Sequence, residues 1–240
     1  MLDVFRLGTR GSRLALTQSQ QVASAVTEAT GIDVQLEIIS TRGDQITDRP
    51  LPEIGGKGLF TMEIEHALRS GQIDFAVHSL KDLPTDDPEG LTIGAIPERV
   101  DSRDALVGCS ITDLSSGATV ATGSLRRHAQ IVSMRPDLTI CGIRGNVPTR
   151  LKKRDDGLCD ATVLAMAGLQ RLGIERTDIF PLEKEQMVPA VGQGALAVQC
   201  RSDDMRCREG LFTIEHRETR KCVEGERAFL AALGGGCNVP

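Results

Sequence analysis

The sequence predicts an α/β fold, and three observations lead to it. Short apolar runs of strand character alternate with segments of helical periodicity along most of the 240 residues. Several of those runs are apolar at nearly every position, as strands covered on both faces are. Two proline-bearing stretches, Ile96-Pro97-Glu98-Arg99-Val100-Asp101 and Met187-Val188-Pro189-Ala190-Val191-Gly192-Gln193-Gly194, interrupt the alternation and read as crossings between two lobes. Two crossings permit the lobes to hinge over a cleft, and ordinary surface loops are the competing reading.

A helix should begin at Ser12, whose hydroxyl can cap free N–H groups. It should carry Leu14, Val22, Val26 and Ala29 and stop at Gly31. Residues 34–39 alternate and then turn apolar, as a strand does. Phe60, Ile64, Ala67 and Leu68 stand at i, i+4, i+7 and i+8, one face of a second helix that stops near Gly71. Ile73-Asp74-Phe75-Ala76-Val77 reads as a buried strand. So do Thr119-Val120-Ala121-Thr122, Leu138-Thr139-Ile140-Cys141 and Ala161-Thr162-Val163-Leu164. Helices should follow Gly123-Ser124 and Asn146, the second with Pro148 in its first turn. A last helix is expected over residues 215–233, ending in Gly234-Gly235-Gly236. The expected organisation is one lobe of residues 1–95 with a return at 195–212, an inserted second lobe of residues 100–188, and a terminal segment of residues 215–240. No internal repeat is visible.

Composition narrows the function. Hydrophobic residues make up 40% and charged residues 25%, a balance typical of soluble globular chains. No apolar run approaches the roughly 20 residues that span a bilayer. Met1-Leu2-Asp3-Val4-Phe5-Arg6 is not a secretion signal, so a cytoplasmic location is expected. A net charge of −5 and the absence of Trp and Tyr argue against nucleic acid as a partner. Seven cysteines without a C-x-x-C pair disfavour a disulfide framework or a zinc site, and no metal is expected. The basic residues are 22 Arg against 6 Lys. A guanidinium fork suits carboxylate or phosphate, although a compositional bias explains the same excess.

Six segments hold candidate chemistry. In Val77-His78-Ser79-Leu80-Lys81-Asp82-Leu83-Pro84 a buried strand ends in polar residues, where ligands of open α/β sheets sit. Asp82 there could act as an acid or base, or stabilise a cation; a solvated Lys-Asp turn is the plain alternative. In Val120-Ala121-Thr122-Gly123-Ser124-Leu125-Arg126-Arg127 a strand feeds a helix N-terminus bearing two arginines, a setting that favours an anion. The next strand end repeats the theme with Arg144, Gly145 and Arg150, and Arg10 with Ser12 supply a similar set in the other lobe. Ile54-Gly55-Gly56-Lys57-Gly58-Leu59-Phe60 is glycine-rich without P-loop spacing. Finally, Cys237 follows three glycines, where a thiol is accessible for covalent attachment or oxidation; an inert terminal cysteine is the plain alternative.

In order and spacing these segments resemble the porphobilinogen deaminase (hydroxymethylbilane synthase) family along essentially the whole chain. The matching stretches are Gly8-Thr9-Arg10-Gly11-Ser12, residues 55–60, residues 77–84, Gly123-Ser124-Leu125-Arg126-Arg127 and Arg144-Gly145-Asn146-Val147. They continue with Ala165-Met166-Ala167-Gly168-Leu169-Gln170-Arg171-Leu172-Gly173, Pro189-Ala190-Val191-Gly192-Gln193-Gly194-Ala195 and the terminal glycine-cysteine segment. The resemblance implies two lobes like those of periplasmic binding proteins, with a hinge, plus a small third α+β domain. Residues 215–240 would begin that domain, so it is expected to be truncated, with Phe229, Leu230 and Leu233 lacking part of their cover.

The resemblance also implies a transferase. It would condense four porphobilinogen molecules, with loss of ammonia, into hydroxymethylbilane for haem and chlorophyll. A dipyrromethane cofactor would be held by a thioether to Cys237. Arg10, Arg126, Arg127, Arg144, Arg150 and Arg171 match the family's carboxylate-binding positions, and Ser12, Lys57, Ser79, Lys81, Thr122 and Ser124 its supporting polar positions. Of these, Arg10, Ser12, Lys57 and Arg171, with Phe60, are assigned to substrate. The others, with Gly145, are assigned to the cofactor. Asp82 matches the catalytic carboxylate. The expected molecule is a monomer that takes porphobilinogen and neither nucleic acid nor membrane. A truncated or inactive homologue that binds an anionic small molecule is the alternative; Asp82 and Cys237 argue against it. A transporter's solute-binding protein is a further reading, disfavoured by the lack of an export signal.

Overall fold

A computed structural model describes residues 4–41 and 61–234. Lys57, Phe60 and Cys237 lie outside the described residues. The chain opens with β1 (Val4–Thr9), α1 (Arg13–Thr30), β2 (Asp33–Ile38), α2 (Met62–Arg69), β3 (Phe75–Ser79) and β4 (Leu91–Ala95). It continues with β5 (Asp104–Val107), β6 (Thr119–Ala121), α3 (Leu125–Met134), β7 (Thr139–Cys141), α4 (Val147–Asp155), β8 (Ala161–Ala165), α5 (Met166–Arg171) and β9 (Ile179–Pro181). It closes with β10 (Leu196–Arg201), α6 (Met205–Phe212) and α7 (Arg217–Ala232).

These elements divide into two compact units. One takes the chain up to Arg99 and again from Ala195; the other is Val100–Gly194. Each unit holds one five-stranded sheet, ordered β2-β1-β3-β10-β4 in the first and β7-β6-β8-β5-β9 in the second. The two orders are the same. In each, one strand, β1 or β6, lies parallel between the next two in sequence, and one antiparallel strand, β10 or β5, fits between the remaining pair, β3 and β4 or β8 and β9. That antiparallel strand, β10 or β5, is the first to form after a crossing. The sequence shows no repeat, so the likeness is one of topology.

Local chemistry explains the elements. The Ser12 hydroxyl accepts the Ala15 N–H (3.2 Å), and Gly31, at φ 71°, ends α1 by donating to the Thr27 carbonyl. One face of α1 buries Val22, Ala23 and Val26 against Phe5, Leu7, Phe75 and Val198. Phe5 and Phe75 meet edge to face with ring centroids 5.8 Å apart. The second sheet packs Leu106, Val120 and Val163 on Ile131 and Met187. The last helix starts at Arg217, capped by His216, rather than at 215. It lies in the first unit, where Val223 packs with Leu80, Leu83 and Ile96. Phe229 and Leu233 at its end are exposed. Among the described residues no helix is long and apolar enough to cross a membrane.

Candidate active site

In a sheet of order 2-1-3, connections leave the first and third strands in opposite directions and open a crevice at their carboxyl ends. Each unit has such a point, and most of the described candidate residues follow those strand ends.

In the first unit the crevice lies beyond β1 and β3. Arg10 and Ser12 follow β1; Ser79, Lys81 and Asp82 end and follow β3. Leu80, Lys81 and Asp82 form one turn of 3₁₀ helix. Its apolar flanks, Leu80 and Leu83, are buried, and Leu80 N–H donates to the Ala195 carbonyl (3.0 Å). The turn is thereby pinned from below, and Asp82 is left exposed. Gln18, from the buried face of α1, donates to the Ser79 hydroxyl (3.2 Å). Ser12 already serves as the α1 cap, so its hydroxyl has a structural partner as well as the proposed ligand. His78 is buried; desolvation chiefly lowers its pKa to about 4, Gln199 opposes this and Arg10 adds to it. Its Nε2 has no hydrogen-bond partner.

Helix α7 is fixed beside this turn. Arg227 donates to the carbonyls of Pro84 (2.7 Å) and Thr85 (2.9 Å), just beyond Asp82. Ile96 N–H donates to Glu215, and Arg99 pairs with Glu226. The helix that precedes Cys237 in sequence is therefore tied to the loop bearing Asp82.

In the second unit, β6, β7 and β8 are parallel; Thr122–Arg127 follow β6, Arg144–Arg150 follow β7, and Arg171 closes α5, the helix that follows β8. The Thr122 hydroxyl accepts Ser124 N–H (3.1 Å), and the Ser124 hydroxyl caps α3 by accepting Arg127 N–H (3.4 Å). Asn146 caps α4 through Thr149 N–H (3.0 Å). Gly145, at φ 113°, makes the turn into α4; a Cβ there would meet Thr149 Cγ2 at 2.6 Å.

Charge gathers at these ends. Arg127 is buried. Burial lowers the Arg150 pKa, and the nearby charges of Arg127 and Arg144 lower it further. Burial alone brings Arg171 down to about 10, so it stays protonated at neutral pH. Arg171 donates through Nη2 to the Gly194 carbonyl (2.9 Å), while its buried Nε has no partner. Among the described residues one carboxylate stands in this group and sequence reasoning missed it: Asp104 on β5, which pairs with both Arg126 and Arg127 at 2.7 Å. The signal available was an acid opening a short apolar run, Asp104-Ala105-Leu106-Val107. Arg126 and Arg127 thus have an internal partner besides any ligand. Even so, the cationic residues outnumber the acid, an arrangement that suits a ligand with several carboxylates. A dipyrromethane bearing acetate and propionate arms fits that description. Among the described residues no group of three or more His, Cys, Asp or Glu side chains is placed to hold a metal ion.

The fold and its two strand-end crevices place the chain with the two-lobed α/β binding-protein folds. It is similar to the methionine-binding protein MetQ (TM-score 0.55, 14% identity, covering 95% of this chain and 96% of that one). It is also similar to a periplasmic substrate-binding protein from Coxiella burnetii (TM-score 0.53, 13% identity, 94% and 97%). At such identities the likeness is one of fold. Sequence goes further. The family model described as porphobilinogen deaminase, dipyromethane cofactor binding domain, matches residues 5–209. A porphobilinogen deaminase of Roseiflexus sp. (strain RS-1) is 50% identical over 244 residues, covering 100% of this chain and 80% of its own. Those of Nitratidesulfovibrio vulgaris (strain DP4) and Paracoccus denitrificans (strain Pd 1222) are 51% and 49% identical, covering 98% of this chain and 76% and 77% of their own. The chain belongs to the porphobilinogen deaminase family.

Proposed function

We propose that this chain is a transferase that condenses four porphobilinogen molecules, releasing ammonia at each step, into hydroxymethylbilane. The observation that carries this reading is the arginine group of the second unit: Arg126 and Arg127 share one buried carboxylate, Asp104, Arg144 and Arg150 bring further positive charge close to Arg127, and Arg171 keeps a buried Nε without a partner. A chain that gains two carboxylates per ring needs such a surface. When bound through Cys237, dipyrromethane supplies the nucleophilic pyrrole carbon to which units add.

The protein's own residues then have distinct tasks. Arg126, Arg127, Arg144 and Arg150, with Thr122, Ser124, Gly145, Ser79 and Lys81, hold the cofactor's carboxylates and polar atoms. Arg10, Ser12, Lys57, Phe60 and Arg171 receive substrate. Asp82, held by the turn between Leu80 and Leu83, lies beside the positive charge that develops as ammonia leaves. As the acid it gives its proton to the departing amine; the carboxylate left behind faces the developing cation and then takes up the α-proton released when the new C–C bond has formed. In this reading residues 1–95 with 195–212 and residues 100–188 are the two lobes, and residues 215–240 open a third domain. The enzyme acts as a cytoplasmic monomer without nucleic acid.

The intact mass of the purified chain tests the proposal. An added dipyrromethane, absent from Cys237→Ser, is the expected result. Asp82→Asn should keep the fold and abolish turnover, whereas near-normal turnover would remove Asp82 from the mechanism. A bare mass in both proteins would instead favour the alternative of a homologue that binds an anionic small molecule.

A further inference from the structure

We propose that Asp104 is a positioning residue, a permanent buried counterion that aims Arg126 and Arg127 at the carboxylates of the cofactor. The inference rests on the carboxylate-binding role proposed above for those arginines.

Asp104 opens β5 with no exposure to solvent. Its Oδ1 accepts Arg127 Nε (3.1 Å), Arg127 Nη2 (2.7 Å) and Gln193 Nε2 (2.8 Å), and its Oδ2 accepts Arg126 Nη2 (2.7 Å). The far side of each guanidinium is held as well: Arg127 Nη1 donates to the Val163 carbonyl (3.1 Å) and Arg126 Nη1 to the Val188 carbonyl. The carboxylate is itself held in place, because Gln193 also donates to the Ser102 carbonyl (2.8 Å). Burial raises the Asp104 pKa, but the two arginines outweigh it and the net shift is downward.

Two features separate this arrangement from an ordinary buried ion pair. A buried pair adds little net stability over a well-packed apolar replacement, because desolvation of the charges offsets their attraction. Stability alone therefore gives no reason to keep it. The stoichiometry also differs, since one carboxylate faces two arginines, with Arg144 and Arg150 adding positive charge nearby. The charge left over is what a ligand would neutralise. Asp104 removes part of the mutual repulsion of Arg126 and Arg127 while the site awaits its ligand. It also fixes the planes of both forks, so binding requires little further ordering.

The test compares wild type, Asp104→Asn, Arg126→Leu and the double variant. Two quantities are read by intact mass: the fraction of purified chains carrying the cofactor, and the rate at which pyrrole units are added. Asp104→Asn should lower the loaded fraction and slow addition about tenfold, while in the Arg126→Leu background, where only Arg127 is left to be aimed, the same change should cost about threefold. An equal factor in both backgrounds would overturn the proposal, because a role confined to general stability does not depend on Arg126. Arg126→Leu with normal loading and addition would instead overturn the carboxylate-binding reading beneath it. If Asp104→Asn does not fold, Asp104→Glu keeps the charge and displaces the forks by about 1 Å. Reduced loading is then expected, and full loading with normal addition overturns the proposal.

Discussion

At His78, burial and a neighbouring cation act in the same direction. Desolvation first, and Arg10 after it, outweigh Gln199 and hold the imidazole near pKa 4 instead of 6.5. Between those values the unfolded chain binds the proton and the folded chain does not. The contribution is therefore fully present above pH 6.5 and declines as the pH falls towards 4, by ~3 kcal/mol in all. His78→Gln should flatten this part of the stability profile in urea unfolding, and an unchanged slope would show that other groups set it. His78 lies in the motif that also holds Asp82, yet the two side chains differ completely in exposure. The sequence made Asp82 legible as a strand-end carboxylate. It could not separate Arg126 and Arg127 from their internal partner, because Asp104 precedes them by 22 and 23 positions and meets them only through the fold. Non-local pairing of this kind leaves no periodic trace.

Helix starts were the most legible elements, since their signals are local. Ser12, Ser124 and Asn146 cap α1, α3 and α4 as their side chains suggest. Strands β4, β5, β9 and β10, and helices α5 and α6, were not individually foreseen. Strand β5 has four residues and opens with an acid, and β10 includes a buried glutamine, so neither resembles an isolated apolar run. The α3 cap yields a prediction that separates folding from ligand binding. Ser124→Ala should cost about 1 kcal/mol by removing the cap. Ser124→Asp keeps a capping oxygen and suits the helix dipole, so thermal stability should be nearly retained. It also brings a negative charge to the proposed anion site and should lower cofactor loading. Normal loading in Ser124→Asp, measured by mass, would move the cofactor carboxylates away from this helix end.

Across the whole molecule, one strand order is used twice, and the connecting segments are laid together with little tolerance. Gly194 has φ 88°, and a Cβ there would stand 2.7 Å from the Val100 carbonyl oxygen. Gly194→Ala therefore combines backbone strain with a clash against main chain and should cost ~2–3 kcal/mol. An unaltered denaturation midpoint would mean that the two segments separate freely. The two compact units divide at Arg99/Val100 and at Gly194/Ala195, and the antiparallel strand that follows each of these points was not foreseen in the sequence. That strand has a consequence for synthesis. Sheet β7-β6-β8-β5-β9 has all its strands once Pro181 has been made, whereas β3 and β4 cannot be joined until β10 reaches Arg201. As the nascent chain emerges from the ribosome, the unit begun second can close first. The N-terminal strands, although made earliest, wait with an open gap in their sheet until most of the protein has been translated.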